Sequence, residues 1–422
     1  MTTTEFRSTP ETTTSTPDTS DGPLVTDIPL LDTPAPYVRE WPGPDGLTRI
    51  ELPSGHEAIS LTAYEHVKTL MLDRTASRAL CNVDGGPSFM PTNWAPEVLI
   101  NLDAPVHGVV REFVSHEFSA RAIAGLAPLI ADLTEAALDD LEATSGPDLV
   151  AQVFRVVPAR VVCRLLGVED TLAPWMNELG RRIQLAPPDD IPSIERSWME
   201  LYGWVQRLVA GEEPYSDDGL IATYRHRAGQ PEFAAVDDAL IAGTVMGIVL
   251  GGDNNVATML TKTMYAALAI PELYRRVSYG DVTVEGLVEE ILRLMPLGTP
   301  GSFPRELTKP LSVGGVTLPV GSIVYPHINA ANRDPEVFRD PLRIDPTRPG
   351  RRHLQYGYGM HRCMGSALSQ IELITVLETL VARFPDLRLA VAPEEIEWDL
   401  GTGLRRPIRL PVALRPSAAV GR

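Results

Sequence analysis

The 422-residue chain has few cysteines, few aromatic residues and a shortage of positive charge. Three cysteines, Cys81, Cys163 and Cys363, are too few to staple a chain of this size, and an odd number leaves at least one as a free thiol or ligand. A reducing, cytoplasmic setting is expected. With 37 Lys and Arg against 55 Asp and Glu, the formal charge of −18 argues against a general nucleic-acid binder, because neutralising phosphates takes clustered cations. Long apolar runs are scarce as well. The most continuous one, Leu240 to Gly252, is shorter than the roughly 20 residues that span a bilayer and is interrupted by Thr244, so no membrane partner is expected. The opening MTTTEFRSTPETTTSTPDTSDGP joins no basic stretch to an apolar one, unlike a secretory signal. Residues 1–22 therefore read as a disordered tail, followed by a single domain over 23–422.

What is present is a globular composition, 44% hydrophobic and 22% charged, which excludes a fully disordered or rod-like chain. Apolar residues recur at three- and four-residue spacings in Leu126–Glu142, Leu149–Leu166, Ile194–Val209, Ala239–Leu268, Val284–Leu294 and Ser366–Phe384, predicting helices. Strand signals are fewer. Val313–Thr317 and Ser322–Tyr325, flanking Leu318–Gly321, predict a hairpin, and Pro407–Leu414 predicts another strand. The class is mainly α with a small β portion. Between Leu166 and Pro231, prolines and glycines punctuate a stretch carrying Trp175, Trp198, Tyr202, Trp204 and Tyr215, which reads either as a cover over a pocket or as ordinary core packing.

Cys363 lies in Tyr356-Gly357-Tyr358-Gly359-Met360-His361-Arg362-Cys363-Met364-Gly365, just before a helical run. The glycines let backbone approach a bulky planar group closely, and a helix N-terminus favours a thiolate. Zinc needs about four ligands, whereas only His361 is nearby and the sequence holds no second pair. A dinucleotide fingerprint fails because Arg362 stands where its third glycine belongs. A Cys–His nucleophile pair and an inert buried cysteine remain as readings. Thiolate ligation of haem accounts for the cysteine and the surrounding glycines together.

Residues 356–365 resemble the haem-binding loop of the cytochrome P450 superfamily, Phe-Gly-x-Gly-x-His-x-Cys-x-Gly, with Tyr356 in the phenylalanine position. Three further segments resemble the family in the same order, so the likeness runs from about Asp27 to the C-terminus. Glu290-Ile291-Leu292-Arg293 matches its Glu-x-x-Arg, whose members share a helix face and would lock a buried charge network. His107 and Arg111, in Asp103–Arg111, lie four apart on one helical face. The third segment is Ala331-Asn332-Arg333-Asp334-Pro335. The resemblance implies a triangular helical domain with a long central helix over haem b, small β-sheets, and Cys363 as the iron's axial ligand. It assigns Tyr356 and Gly357 to the haem loop, and His107, Arg111, Arg305 and His361 to the propionates. The closest type within the family is the soluble bacterial, actinobacterial biosynthetic one, in which the thiolate assists O–O cleavage of dioxygen.

The central helix departs from the family pattern. Gly251-Gly252-Asp253-Asn254-Asn255 resembles the oxygen-binding segment, but Asn254 and Asn255 stand where an acid and an alcohol are usual. Amides hydrogen-bond without shuttling protons, and Asp253, one residue out of register, is turned by about 100° unless the helix bulges. Protons would then come from water or the substrate. This favours oxidative C–C or C–N coupling of aromatic or tryptophan-derived diketopiperazine natural products; the alternatives are a conventional hydroxylase or epoxidase, and a non-catalytic haem protein that recruits substrate. Expected pocket residues are Phe89, Met90, Trp94, Gly247, Ile248, Leu297, Thr299 and Thr402. No flavin or nucleotide motif is evident, so a ferredoxin with its reductase is the expected electron donor. Arg343, Arg348, Arg351, Arg352 and Arg362, against Asp345 alone, make residues 343–362 its candidate docking surface.

Overall fold

A computed structural model of the protein describes residues 39–88, 93–185, 190–298, 303–349, 353–399 and 403–414. The expected tail and Phe89, Met90, Thr299, Thr402, Arg351 and Arg352 lie outside the described residues.

The first half is helical after a short β ribbon. It comprises α1 (Tyr64–Leu72), α2 (Val106–Ser115), α3 (Ala120–Ala124), α4 (Ala127–Ala143), α5 (Val156–Leu166), α6 (Ala173–Leu185), α7 (Ile191–Ala210) and α8 (Leu220–Ala228). Then come α9 (Asp238–Gly252), α10 (Asn254–Ala269), α11 (Pro271–Ser278), α12 (Val284–Leu294), α13 (Ile328–Ala331) and α14 (Ser366–Arg383). Local chemistry sets many ends. Thr283 caps α12 by accepting from the Gly286 N–H, and α5 and α7 stop at Gly167 and Gly211, whose φ of 83° and 82° are left-handed. In α4 the buried positions Ile130, Leu133, Ala137, Leu138 and Leu141 recur at helical spacing and face α14 and α5.

Two expected helices are interrupted. The run Leu149–Leu166 begins with a π-type turn over Val150–Phe154, closed by the Arg155 N–H on the Val150 carbonyl, before α5 starts. The central helix breaks at Asp253, with φ −95° and ψ −85°, into α9 and α10. Taken together, Asp238–Ala269 is long and apolar enough to cross a membrane, but 67% of its most apolar window is buried inside the protein, as in a core helix.

Among the described residues the β portion is a six-stranded sheet in the order β1-β2-β3-β8-β5-β4, plus three two-stranded ribbons. Its members are β1 (Arg39–Pro42), β2 (Thr48–Glu51), β3 (Glu57–Leu61), β4 (Ala76–Ser77), β5 (Arg305–Leu307) and β8 (Ile323–Pro326). The expected hairpin turns earlier than its sequence suggests. β6 (Leu311–Val313) pairs with β7 (Val316–Leu318) through Gly314-Gly315, both at positive φ, whereas β8 pairs with β3 and β5. The C-terminal strand likewise divides between two ribbons: β11 (Arg406–Pro407) joins β10 (Trp398–Asp399), and β12 (Val412–Ala413) joins β9 (Arg388–Leu389). One large apolar core spans the helices, and a smaller one lies between the sheet and α1.

Candidate active site

The cysteine loop is held in shape by its own backbone and two neighbours. Gly357 and Gly359 have φ of 69° and 71°, and a Cβ on Gly359 would lie 2.3 Å from the Met71 carbonyl of α1, so only glycine fits there. The Cys363 N–H donates to the Tyr356 carbonyl at 2.7 Å, and the Tyr356 hydroxyl meets Ser369 of α14 at 3.1 Å. Further back, Glu290 and Arg293 of α12 form a buried pair at 2.7 Å. Arg293 also donates to the carbonyls of Asn332 and Pro341, while Glu290 accepts from Arg348 and from the Asp345 N–H. Asn332 Oδ1 takes the Leu354 N–H at 2.7 Å, so one network ties α12 to the chain that enters the loop.

Cys363 faces a cavity of about 420 Å³. Its exposed surface opens onto this cavity while the sulfur lies deep in the protein; burial raises its pKa, against the Gly365 N–H, Arg111 and Arg362, which favour the thiolate. The helix terminus alone therefore does not produce the low thiol pKa that the sequence suggested. A compensating positive centre at the sulfur would supply the rest.

At another part of the wall, basic groups converge. His107 and Arg111 come from α2, Arg305 from β5 and His361 from the loop, with the two imidazoles 4.4 Å apart. Arg78, which the sequence reading missed, joins them, bonded to Asn101 and lying over the Phe303 ring. No Asp or Glu is among the described residues lining the cavity. Burial lowers Arg78 and Arg305 to about 10; burial, then neighbouring cations led by Arg111, lowers His107 to about 4. His107 Nε2, His361 Nε2 and Arg305 Nε and Nη1 are buried without a hydrogen-bond partner. Orphaned donors of this kind call for an anionic ligand. The donor set fits a flat apolar group with two carboxylates at one edge and a metal that takes sulfur at its centre, which describes haem.

The central helix divides its candidates. Gly251, Gly252 and Asn255 line the cavity, whereas the structure places Asp253 and Asn254 away from it. A Cβ on Gly251 would meet nothing within 4 Å, while one on Gly252 would sit 2.8 Å from Val162 of α5, so one glycine leaves room and the other permits close packing. The break at Asp253 turns its carboxylate to Asn177, whose Nδ2 donates to both oxygens at 2.8 and 3.0 Å. Burial pushes this carboxyl up to about 7, although Asn177, Arg406 and Arg155 favour its ionised form. Asn254 is fully buried; its Nδ2 donates to the Asn177 carbonyl, and its Oδ1 accepts from Arg406. Asn255 accepts from Gln184 Nε2 at 3.1 Å.

Of the expected pocket residues that are described, Trp94, Gly247, Ile248 and Leu297 line the cavity. Trp94 stacks on Trp198 at 5.8 Å, whereas Trp204 packs against Trp175 as part of the core. Arg78 and Gln184 carried no usable signal, because each is one polar residue among several, Arg78 beside Arg74 and Ser77 and Gln184 beside Arg181 and Arg182.

A cysteine loop under a buried helix pair, with a cluster of buried cations at the cavity's edge, defines a haem-thiolate fold. The family model Cytochrome P450 matches residues 283–399. Nocardicin C N-oxygenase of Nocardia uniformis subsp. tsuyamanensis is 30% identical over 386 residues, covering 90% of this chain and 94% of that protein. Mycinamicin IV hydroxylase/epoxidase of Micromonospora griseorubida is 29% identical over 371 residues, 87% of this chain and 92% of that protein. The crystal structure of cytochrome P450mel 107F1 with biaryl coupling reactivity superposes with a TM-score of 0.79 at 29% identity, covering 85% of this chain and 90% of that one. The chain belongs to the cytochrome P450 family and is an oxidoreductase of the bacterial biosynthetic type.

Proposed function

We propose that this chain holds haem b through Cys363 and oxidises an aromatic or apolar natural product, by oxidative coupling of substrates such as tryptophan-derived diketopiperazines. The convergence of unpartnered buried donors on a cavity that also receives a cysteine is the observation that carries the haem assignment. His107, Arg305, His361 and Arg111, with Arg78, would hold the propionates; Tyr356 and Gly357 would shape the loop below. When bound, the haem supplies the dioxygen chemistry, with its thiolate ligand assisting O–O cleavage.

The residues around that chemistry favour coupling. Asn255 takes the cavity position of the usual alcohol and can donate a hydrogen bond but not relay a proton, and Asp253 is turned away from the cavity, where it accepts from Asn177. Protons therefore arrive through water or from the substrate. In coupling, two substrate hydrogens leave, one bond forms, and dioxygen with two electrons and two protons leaves as two waters. The biaryl-coupling relative supports this reading, and the hydroxylase/epoxidase relative favours oxygen insertion with protons delivered by water as the second one. Electrons would come from ferredoxin and its reductase in the cytoplasm. Arg348 does not serve in docking, since its side chain is spent on Glu290, and Arg362 also lines the cavity.

The test is spectroscopic. The reduced, carbon monoxide-bound protein should show the red-shifted haem-thiolate band, and Cys363→Ala should lose it while the fold persists by circular dichroism. An unchanged band in the variant would reject the assignment.

A further inference from the structure

We infer that Gln184 and Asn255 form a recognition element for a secondary amide of the substrate, so that the compound oxidised carries a lactam or cyclic-peptide amide; this rests on the oxidase reading above. Apart from Gln355, Tyr356, Tyr358 and Ser369 around the cysteine loop, the polar groups on the cavity wall fall into two sets. One is the cation cluster, already matched to two carboxylates. The other comprises Thr244, Trp94, Gln184 and Asn255. The Thr244 hydroxyl is committed to the Leu240 carbonyl at 2.9 Å, and Trp94 offers only an indole N–H. The amide pair remains as the one element there that can both give and accept hydrogen bonds.

Its geometry is set by three features of the chain. The break at Asp253 starts α10 so that Asn254 is packed against Gly180, where a Cβ would meet its Nδ2 at 2.8 Å, while the next residue, Asn255, reaches the cavity. Gln184 sits in the last turn of α6, and its carbonyl accepts the Leu404 N–H at 3.0 Å, which anchors that turn to the C-terminal segment. Gln184 Nε2 then donates to Asn255 Oδ1 at 3.1 Å. Gln184 is 4% exposed and its Oε1 has no partner, while no described residue accepts from Asn255 Nδ2.

Two amides joined by one hydrogen bond leave one carbonyl oxygen and at least one N–H uncommitted, whichever way round both sit. A free acceptor beside a free donor is the complement of a cis secondary amide, which shows its N–H and C=O on one edge. An ester or lactone lacks the N–H, and a tertiary amide lacks it too. A buried carbonyl without a donor is unfavourable, so a ligand that supplies the N–H gains where its N-methyl analogue leaves the carbonyl unsatisfied.

The experiment uses the haem-loaded full chain and two probes, cyclo(L-phenylalanyl-L-prolyl) and its N-methyl derivative. Affinities are read by displacement of the iron-bound water and, independently of the haem, by calorimetry. The N–H compound should bind about tenfold more tightly, the equivalent of one neutral hydrogen bond. In Gln184→Leu that ratio should fall towards one with the N-methyl compound still bound. Should Gln184→Leu not fold, the wild-type ratio and that of Asn255→Leu decide. Equal affinities, binding of neither probe, or a ratio unchanged by both substitutions overturns the inference. A haem-thiolate band without amide preference sinks the amide element alone; absence of the band sinks the oxidase reading beneath it.

Discussion

Replacing Asp253 by Asn should change how the protein's stability depends on pH. Asp253 is 1% exposed at the helix break, and its carboxyl is pushed up to about 7 from an ordinary 3.8, burial outweighing Asn177, Arg406 and Arg155. The folded chain thus keeps a proton that the unfolded chain gives up. The contribution of this group is intact below about pH 4, falls as pH rises towards 7, and levels off above that. Three pH units at about 1.4 kcal/mol each make the loss about 4 kcal/mol. Asparagine cannot ionise and keeps an oxygen for Asn177. Glu372, fully buried with both carboxyl oxygens unpartnered, is raised by burial and by Asp253, so losing that neighbour shifts the variant in the same direction. Urea unfolding of both proteins from pH 4.5 to 8 should show the variant gaining on the parent with pH, by about 3 kcal/mol across that range. A difference that stays constant with pH, or that shrinks towards pH 8, refutes the reasoning.

Glu290→Gln should strip the carboxylate from two guanidinium groups, Arg293 at 3% side-chain exposure and Arg348 at 14%. Breaking such a pair costs about 3–5 kcal/mol. At about 2 cal/mol/K of unfolding entropy per residue, that is a fall of about 3–6 °C in Tm, read by calorimetry, with the cysteine loop loosening first and a carbon monoxide band shifted towards the non-thiolate form. An unchanged Tm would remove the network from the account of the loop. Turnover under 18O-labelled dioxygen separates the two reactions: coupling gives a product mass with no label, whereas label in the main product rejects coupling in favour of oxygen insertion.

Much of the helical framework was legible because burial imposes a period. α4, α7, α12 and α14 fall within a few residues of the expected spans, since their apolar stripes and end signals are local. The cysteine loop was legible for a different reason: positive φ and close backbone approach admit few residues, so glycines had to appear at 357 and 359. The interruptions were only partly legible. In the run Ala239–Leu268 the adjacent glycines at 251 and 252 permit a break, but which way Asp253 turns depends on Asn177 on α6, 76 residues earlier. The hairpin was misplaced because β8 is claimed by β3 and β5, partners that propensity cannot see.

By itself, the order of residues determined the helical class, the sulfur in its glycine loop and the absence of the usual acid and alcohol, since each is a matter of local pattern or residue identity. Only the tertiary structure decided that Asn255 faces the cavity while Asn254 does not. It also recruited Arg78 and Gln184 to the site and spent Arg348 on Glu290 instead of a partner protein. Those outcomes turn on which distant group meets which, and pairing across tens of residues leaves no periodic trace along the chain.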